Sequence, residues 1–167
     1  MHSLVHPATR GWLKKQDRER RVSNDAICHL AARFPAINDA HYGLRKEYLL
    51  HAMCLLNRNQ EDRTVEVYQL YEKVGHSFDA DRRFKEAIRC FEEVYRWRQG
   101  RHPEKDHSRL ISEPELASAY LGDRRIKDAI EILEHVVAIK AEILPEGDFS
   151  QQLSINLLKD CVKVQRG

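Results

Sequence analysis

Few residues of this sequence interrupt helices, and none of its apolar runs is long. Seven glycines and five prolines among 167 residues leave room for extended helices. No apolar run approaches the roughly 18 residues of a membrane span. Residues 1–7 also lack the charged start and apolar core of a signal peptide. We therefore expect a cytoplasmic chain that has no membrane partner.

Neither sign of charge dominates the sequence. The 28 lysines and arginines face 26 aspartates and glutamates, which gives a formal net charge of +2 at pH 7. The two signs are interspersed, whereas nucleic-acid binding needs a concentrated basic face. Even the most basic stretch, residues 14–21, contains two acids and is typical of the solvated side of a helix. We therefore expect no nucleic-acid partner.

Cysteine is scarce and scattered. The four thiols stand at positions 28, 54, 90 and 161, and no two of them form a C-x-x-C pair. Neither a zinc site nor a redox pair is therefore predicted. Cys90 and Cys161 fall on apolar helical stripes, so we expect both thiols to be buried and reduced.

The spacings that carry catalysis are also missing. The sequence has no H-E-x-x-H, no G-x-S-x-G and no G-x-x-x-x-G-K-[ST] motif. His2 and His6 have no third ligand at metal-binding spacing. The neighbouring acids Glu92 and Glu93 are expected to form ion pairs with arginines of their own helix. We therefore predict no enzyme, no metal site and no cofactor.

One segment of the second half recurs after 42 residues. The stretch RRFKEAI at 82–88 aligns with RRIKDAI at 124–130 without a gap. The match continues to the loops PEKDHS at 103–108 and PEGDFS at 145–150. Self-similarity at such a period indicates an array of helical repeats.

Each copy has the apolar spacing of an amphipathic helix. The stripes comprise Phe84, Ala87, Ile88, Phe91, Val94 and Tyr95 in the first copy, and Ile126, Ala129, Ile130, Leu133, Val136 and Val137 in the second. A shorter helical pattern precedes each copy, and the linkers at 80–82 and 122–124 are short enough to force antiparallel helix pairs. A last pattern, at 148–163, predicts a closing helix that caps the stack.

These helix pairs resemble the tetratricopeptide repeat (TPR). In that family helix A carries a large residue, a pair of Leu with a small residue, and then an aromatic residue, while helix B carries Ala and a large apolar residue four positions later. The matching positions, which we expect to pack the repeats, are Val74, Gly75, Phe78, Ala87, Phe91, Leu116, Ala117, Tyr120, Ala129 and Leu133. The small residues allow helices A and B to approach closely. The resemblance implies an all-α, right-handed helical-repeat solenoid.

The long period and the loops are similar to the kinesin-light-chain type of this repeat, in which helix B is extended. The start of the second helix A has two alternatives. Asp106 or Ser108 could cap an early start, and Pro114 would then kink the helix. Ser112 and Glu115 form a competing capping box. We favour the early start.

The N-terminal third is similar to a second family. Residues 1–13 look like the end of the winged-helix region of fungal NB-ARC/TPR receptors, and residues 27–52 look like the bridge from that region to the repeats. In that family the His of a Met-His motif lies near the bound nucleotide, which implies that place for His2. Because no phosphate-binding loop is present, we expect neither nucleotide binding nor ATPase activity.

Together these patterns predict a helical region at 1–60 and repeats at 64–105 and 106–147, followed by the closing helix at 148–163. The resemblance implies a non-catalytic scaffold that binds a protein or peptide, similar to the sensor repeats of an NB-ARC receptor; a kinesin-light-chain-like cargo adaptor is the alternative. Such modules bind partners on the concave face of helix A, here at Gln69, Glu72, His76, Asp79, Ser118 and Leu121. An exposed end near Leu153 and Leu157 also predicts weak self-association.

Overall fold

The computed structural model describes residues 9, 11–12, 18–35, 37, 42–58 and 64–166, and this part of the chain contains helices and no strand. Its helices are α1 (Arg18–Arg33), α2 (Tyr42–Arg58), α3 (Val65–Ala80), α4 (Phe84–Gln99), α5 (His107–Gly122), α6 (Ile126–Ile143) and α7 (Phe149–Arg166). The all-α prediction is confirmed. His2 and its Met-His motif lie outside the described residues.

The chain divides into two compact units, Met1–Leu70 and Tyr71–Gly167. In the first unit α1 packs on α2. The buried apolar side chains of these two helices are Ile27, Leu30, Ala31, Leu49, Ala52 and Leu56. Beyond the end of α1, the Phe34 ring meets Tyr48 of α2 edge to face, with the ring centroids 6.3 Å apart. This unit is therefore held by a small apolar core between two helices.

In the second unit each helix packs against the next. α4 contacts α5, α5 contacts α6, and α6 contacts α7, while α5 also reaches α7. The residues that the TPR pattern singled out for packing are buried there, and several have no exposed surface at all: Val74, Ala87, Ala117, Ala129 and Leu133. Each of these helices buries its apolar stripe mainly against the helix before or after it, which is the arrangement of a repeat array.

The two tight turns of the second unit have the same backbone. Arg82 and Arg124, 42 positions apart, both adopt the left-handed conformation, with φ of 56° and 62°. In each turn the following residue donates its N–H to the carbonyl five residues back, at 2.8 Å in both cases. These bonds define a Schellman motif, in which the left-handed position is usually glycine. Each arginine therefore carries a steric cost that glycine would avoid.

The side chains that follow these turns repeat as well. The Arg83 guanidinium lies over the Phe78 ring at 4.5 Å, and that of Arg125 lies over the Tyr120 ring at 4.1 Å. Each guanidinium also pairs, at 2.7 Å, with an acid three residues further along the helix. The 42-residue period of the sequence is therefore a period of the turn geometry too.

The second helix A starts early, as predicted. The Asp106 carboxylate accepts a hydrogen bond from the Ser108 N–H at 2.9 Å, and α5 begins at His107. The helix continues through Pro114. The competing cap is wrong, because Ser112 lies within the helix. Proline is accommodated in α5 although its ring removes one helical N–H donor.

A buried lysine ties α6 to α7. The Nζ of Lys140 donates to the Ser150 hydroxyl at 2.8 Å and to the Ser154 hydroxyl at 3.0 Å. It also donates to the Ser150 carbonyl at 3.2 Å. Burial lowers the pKa of Lys140, and the nearby Asp148 carboxylate opposes that shift. Three oxygen acceptors thus hold this ammonium group where little water reaches it.

Candidate binding face

The helix-A positions of the second unit form a continuous face, because α3 and α5 are joined by side chains and α5 contacts α7. We call this surface the A face. It comprises Glu72, His76 and Asp79 of α3, Ile111, Glu115, Ser118 and Leu121 of α5, Leu153 of α7, and the Arg98 side chain that enters from α4. It contains five of the six residues that the sequence predicted for partner binding.

Two ion pairs bring three helices together on the A face. The Nε2 of His76 lies 3.4 Å from Oε1 of Glu115, which links α3 to α5. The Nη2 of Arg98 lies 2.9 Å from Oε1 of Glu72, which links α4 to α3. The His76 ring also meets the Phe91 ring edge to face at 5.2 Å, so its orientation is set by packing.

The charges of this cluster are unbalanced. Burial raises the pKa of the Glu115 carboxyl, and the Glu72 and Asp79 carboxylates raise it further, against the opposing effects of His76 and Arg98. Burial also raises the pKa of Asp79, which the nearby His76 opposes. Three carboxyl groups share one guanidinium and one imidazole. The cluster therefore holds more acidic than basic side chains in a partly desolvated place.

Two polar atoms of the cluster are unsatisfied. Oε2 of Glu115 and Nη1 of Arg98 are shielded from water, and neither has a hydrogen-bond partner among the described residues. The Arg98 side chain as a whole is only 14% exposed. An unmade hydrogen bond at a shielded polar atom costs free energy, so the cluster is stabilised less fully than a structural ion-pair network would be.

Apolar surface adjoins the charged cluster. Ile111 is 45% exposed although it is a large aliphatic residue, and Leu153, the residue 42 positions later, is 54% exposed. Ile111 precedes Glu115 by four residues on α5, so the two side chains lie one turn apart on the same face of the helix. Ser118 is exposed and Leu121 is half-buried on that helix. The A face thus combines charge with accessible aliphatic surface.

Two members of this cluster were not predicted from the sequence. Glu115 was assigned to a capping box, and Arg98 was not singled out. The position of Glu115 one helical turn after Ile111 was the available signal for it. Gln69, which the sequence also predicted for partner binding, is exposed on α3 three residues before Glu72.

The neighbouring acids of α4 have different partners. Glu93 pairs with Arg96 of its own helix at 2.6 Å, as the sequence predicted. Glu92 instead accepts a hydrogen bond from the Tyr120 hydroxyl at 2.8 Å and lies 3.5 Å from the Arg125 guanidinium. The purely intrahelical interpretation of Glu92 is therefore wrong. Burial first, and then this hydrogen bond, raise the pKa of Tyr120 to about 12.

The thiols match the sequence interpretation. Cys90 and Cys161 are buried, whereas Cys28 and Cys54 are exposed. Burial raises the pKa of Cys90 to about 12, which keeps it in the unreactive thiol form at neutral pH. Within the described ranges, no three His, Cys, Asp or Glu side chains are grouped as a metal site would require. Nor does any helix of that part have the length and apolarity to cross a bilayer.

Comparison with known proteins identifies the fold. No protein-family model and no curated protein matches the chain. A crystal structure of a Podosopora anserina protein, described as a kinesin light chain with nearly identical TPR-like repeats, matches with a TM-score of 0.60 and 22% identity, covering 85% of this chain and 74% of that one. A second crystal structure of that protein gives the same values. BtubC (BKLC) from P. vanneervenii matches with a TM-score of 0.57 and 14% identity, covering 89% of this chain and 66% of that one.

These matches define the class of protein. The chain has an all-α, TPR-like helical-repeat fold, similar to that of kinesin-light-chain-type repeat proteins. At these levels of identity the likeness concerns the fold alone.

Proposed function

We propose that this chain is a non-catalytic scaffold that binds a peptide segment of a protein partner on its A face. The observation that carries the proposal is the cluster of Glu115, His76 and Arg98 beside the exposed Ile111. Unsatisfied polar atoms and accessible aliphatic surface on one helical face are features of a recognition surface. The likeness to TPR-like repeat proteins supports the same proposal.

A displayed library of random peptides tests the proposal directly. Peptides enriched on the wild-type chain should lose binding to a Ser118→Arg variant, because the exposed Ser118 lies on the A face and a long side chain there blocks access. Ala138→Arg is the matched control, since Ala138 is exposed on helix α6 outside that face. Peptides that bind both variants equally, or no enrichment at all, would contradict the proposal.

Between the two finer hypotheses, the structural neighbours favour an adaptor of the kinesin-light-chain type. The NB-ARC receptor hypothesis depends on the resemblance of residues 1–13, of which only 9, 11 and 12 are described, and of residues 27–52. Sequencing the native transcript upstream of Met1 separates the two. An in-frame phosphate-binding region would favour the receptor, and a heptad coiled coil would favour the adaptor.

A further inference from the structure

We infer that the A face selects a basic peptide segment, in which a lysine or arginine stands close to an apolar side chain. The cation lies against Glu72, Asp79 and Glu115, and the apolar side chain covers Ile111 and Leu153. This inference rests on the proposed function and specifies the chemistry of the partner.

Charge complementarity indicates that the partner brings a positive charge to the A face. The Arg98 guanidinium is already paired with Glu72, and the His76 imidazole, which carries a charge only if protonated, faces Glu115. An incoming anion would meet the remaining carboxylates of Asp79 and Glu115. An incoming ammonium or guanidinium group would instead relieve their mutual repulsion.

The aliphatic surface beside the carboxylates indicates the second feature of the peptide, an apolar side chain near its cation. Ile111 is one helical turn from Glu115, and Leu153 occupies the position of Ile111 in the next helix A. Adjacent packed helices lie about 8–10 Å apart, so one extended segment of a few residues can span both side chains. A cation alone would leave this apolar surface exposed to water, whereas a neighbouring apolar side chain would bury it.

Binding of a cation should also depend on pH. The groups that face Glu115 are Glu72, His76 and Asp79 from α3 and Arg98 from α4. Burial raises the pKa of both Glu115 and Asp79 in the free chain, so acidification protonates them before ordinary surface carboxyls. Protonation of these two carboxylates removes the charges that attract the cation. Affinity should therefore fall as the pH falls.

The composition of the displayed-peptide pool tests the inference. Among peptides that bind the wild-type chain but not the Ser118→Arg variant, and so depend on Ser118, we expect enrichment of lysine and arginine beside an apolar residue. A pool that depends on Ser118 but is enriched in acidic residues would overturn the inference and leave the proposed function standing. The absence of any pool that depends on Ser118 would overturn both. So would a self-association of the chain that excludes peptides and is abolished by Leu153→Asp.

A synthetic peptide pair gives the quantitative test. The first peptide has two lysines flanked by leucines, and the second has glutamates in place of the lysines. By fluorescence anisotropy, we expect Glu115→Gln to weaken binding of the lysine peptide about tenfold, as loss of one charge-assisted contact implies. Asp79→Asn should also weaken binding of the lysine peptide. Losses in both variants would show that misfolding of one variant is not the cause.

Glu134→Gln is the matched control, because Glu134 is an exposed acid on α6 outside the A face. The lysine peptide should bind it as tightly as it binds the wild-type chain. Equal losses for Glu115→Gln and Glu134→Gln would show a general effect of net charge and would overturn the inference. So would a preference of the wild-type chain for the glutamate peptide.

Discussion

The two repeats fill the same interhelical space with different pairs of side chains. In the first repeat, a Cβ added to Gly75 would lie 2.6 Å from Cε1 of Phe91. The corresponding positions of the second repeat hold Ala117 and Leu133, which have no exposed surface. The second repeat therefore has one more methyl group on helix A, at Ala117, and a smaller side chain on helix B, at Leu133. What stays constant is the combined volume, and close packing requires that constancy.

The last turn of helix B shows a second difference. Arg98 and Lys140 occupy the same repeat position, but Arg98 pairs backwards with Glu72 of α3, at 2.9 Å. Lys140 reaches forward to Ser150 and Ser154 of α7. The first repeat thus places its basic group in the A face, and the second uses it to hold the closing helix. Equivalent positions of the repeat therefore make different contacts in the two copies, with the preceding helix A in the first and with the following helix A in the second.

The largest effect should come from a charge placed inside the helix pair. Ala129→Asp puts a carboxylate at a position with no exposed surface, and we expect a loss of more than about 3 kcal/mol of stability. Ala87→Asp should do the same in the first repeat, whereas Ala138→Asp at an exposed position should not. Circular dichroism melts provide the measurement, and a melt of Ala129→Asp like that of the wild type would refute the packing described here.

The volume match itself can be broken and restored. Gly75→Ala should cost about 1–3 kcal/mol, because the added methyl group overpacks against the buried Phe91 ring. Combining it with Phe91→Leu recreates the pair of the second repeat. The double variant should be more stable than the sum of the two single losses by about 1 kcal/mol. Urea denaturation of all four proteins measures this coupling, and strictly additive losses would disprove the volume match.

The left-handed turn positions should respond alike in both repeats. Arg82→Gly and Arg124→Gly should each stabilise the chain by about 0.5–1 kcal/mol, since glycine adopts positive φ without steric cost. Part of this gain is lost to the greater freedom of glycine in the unfolded chain. Arg89→Gly, at an exposed position within α4, should destabilise instead. A destabilising Arg82→Gly would show that the Arg82 side chain contributes more than its backbone strain costs.

The smallest effect should come from Glu115. Because its folded-state pKa is raised, its contribution to stability is present at low pH and is lost as the pH rises through that pKa. Glu115→Gln should therefore be slightly more stable than the wild type at neutral pH, and the difference should disappear on acidification. Melting temperatures of both proteins, measured from about pH 4 to about pH 7.5, show which of the two is more stable at neutral pH and whether the difference disappears in acid. If the variant loses stability at neutral pH, Glu115 is a structural residue.

Much of the repeat unit could be predicted from the sequence. The apolar stripes marked α4 and α6, and the 42-residue match anticipated the equivalence of the turns at Arg82 and Arg124. The cap of α5 was also predictable, because Asp106 and Ser108 lie close together in the chain. These features depend on local spacing, which a sequence displays directly.

The candidate site was only partly predictable. Periodicity shows which positions share one side of a helix, and it put Glu72, His76 and Asp79 on the same side of α3. It does not show which side chain of another helix comes within bonding distance. Glu115 and Arg98 joined the cluster only because α3, α4 and α5 approach closely. Between α3 and α4 the approach is so close that the Phe91 ring leaves no room for a Cβ at Gly75.

The sequence by itself determined the all-α class, the repeat period, the helix starts and the buried small-to-large pairs, because each follows from residue spacing along one or two helices. Only the tertiary structure decided that the Glu92 carboxylate bonds to Tyr120 of another helix, and that His76 meets Glu115. Those contacts join residues far apart in the chain. They depend on interhelical distance and side-chain direction, and no periodic pattern encodes either quantity.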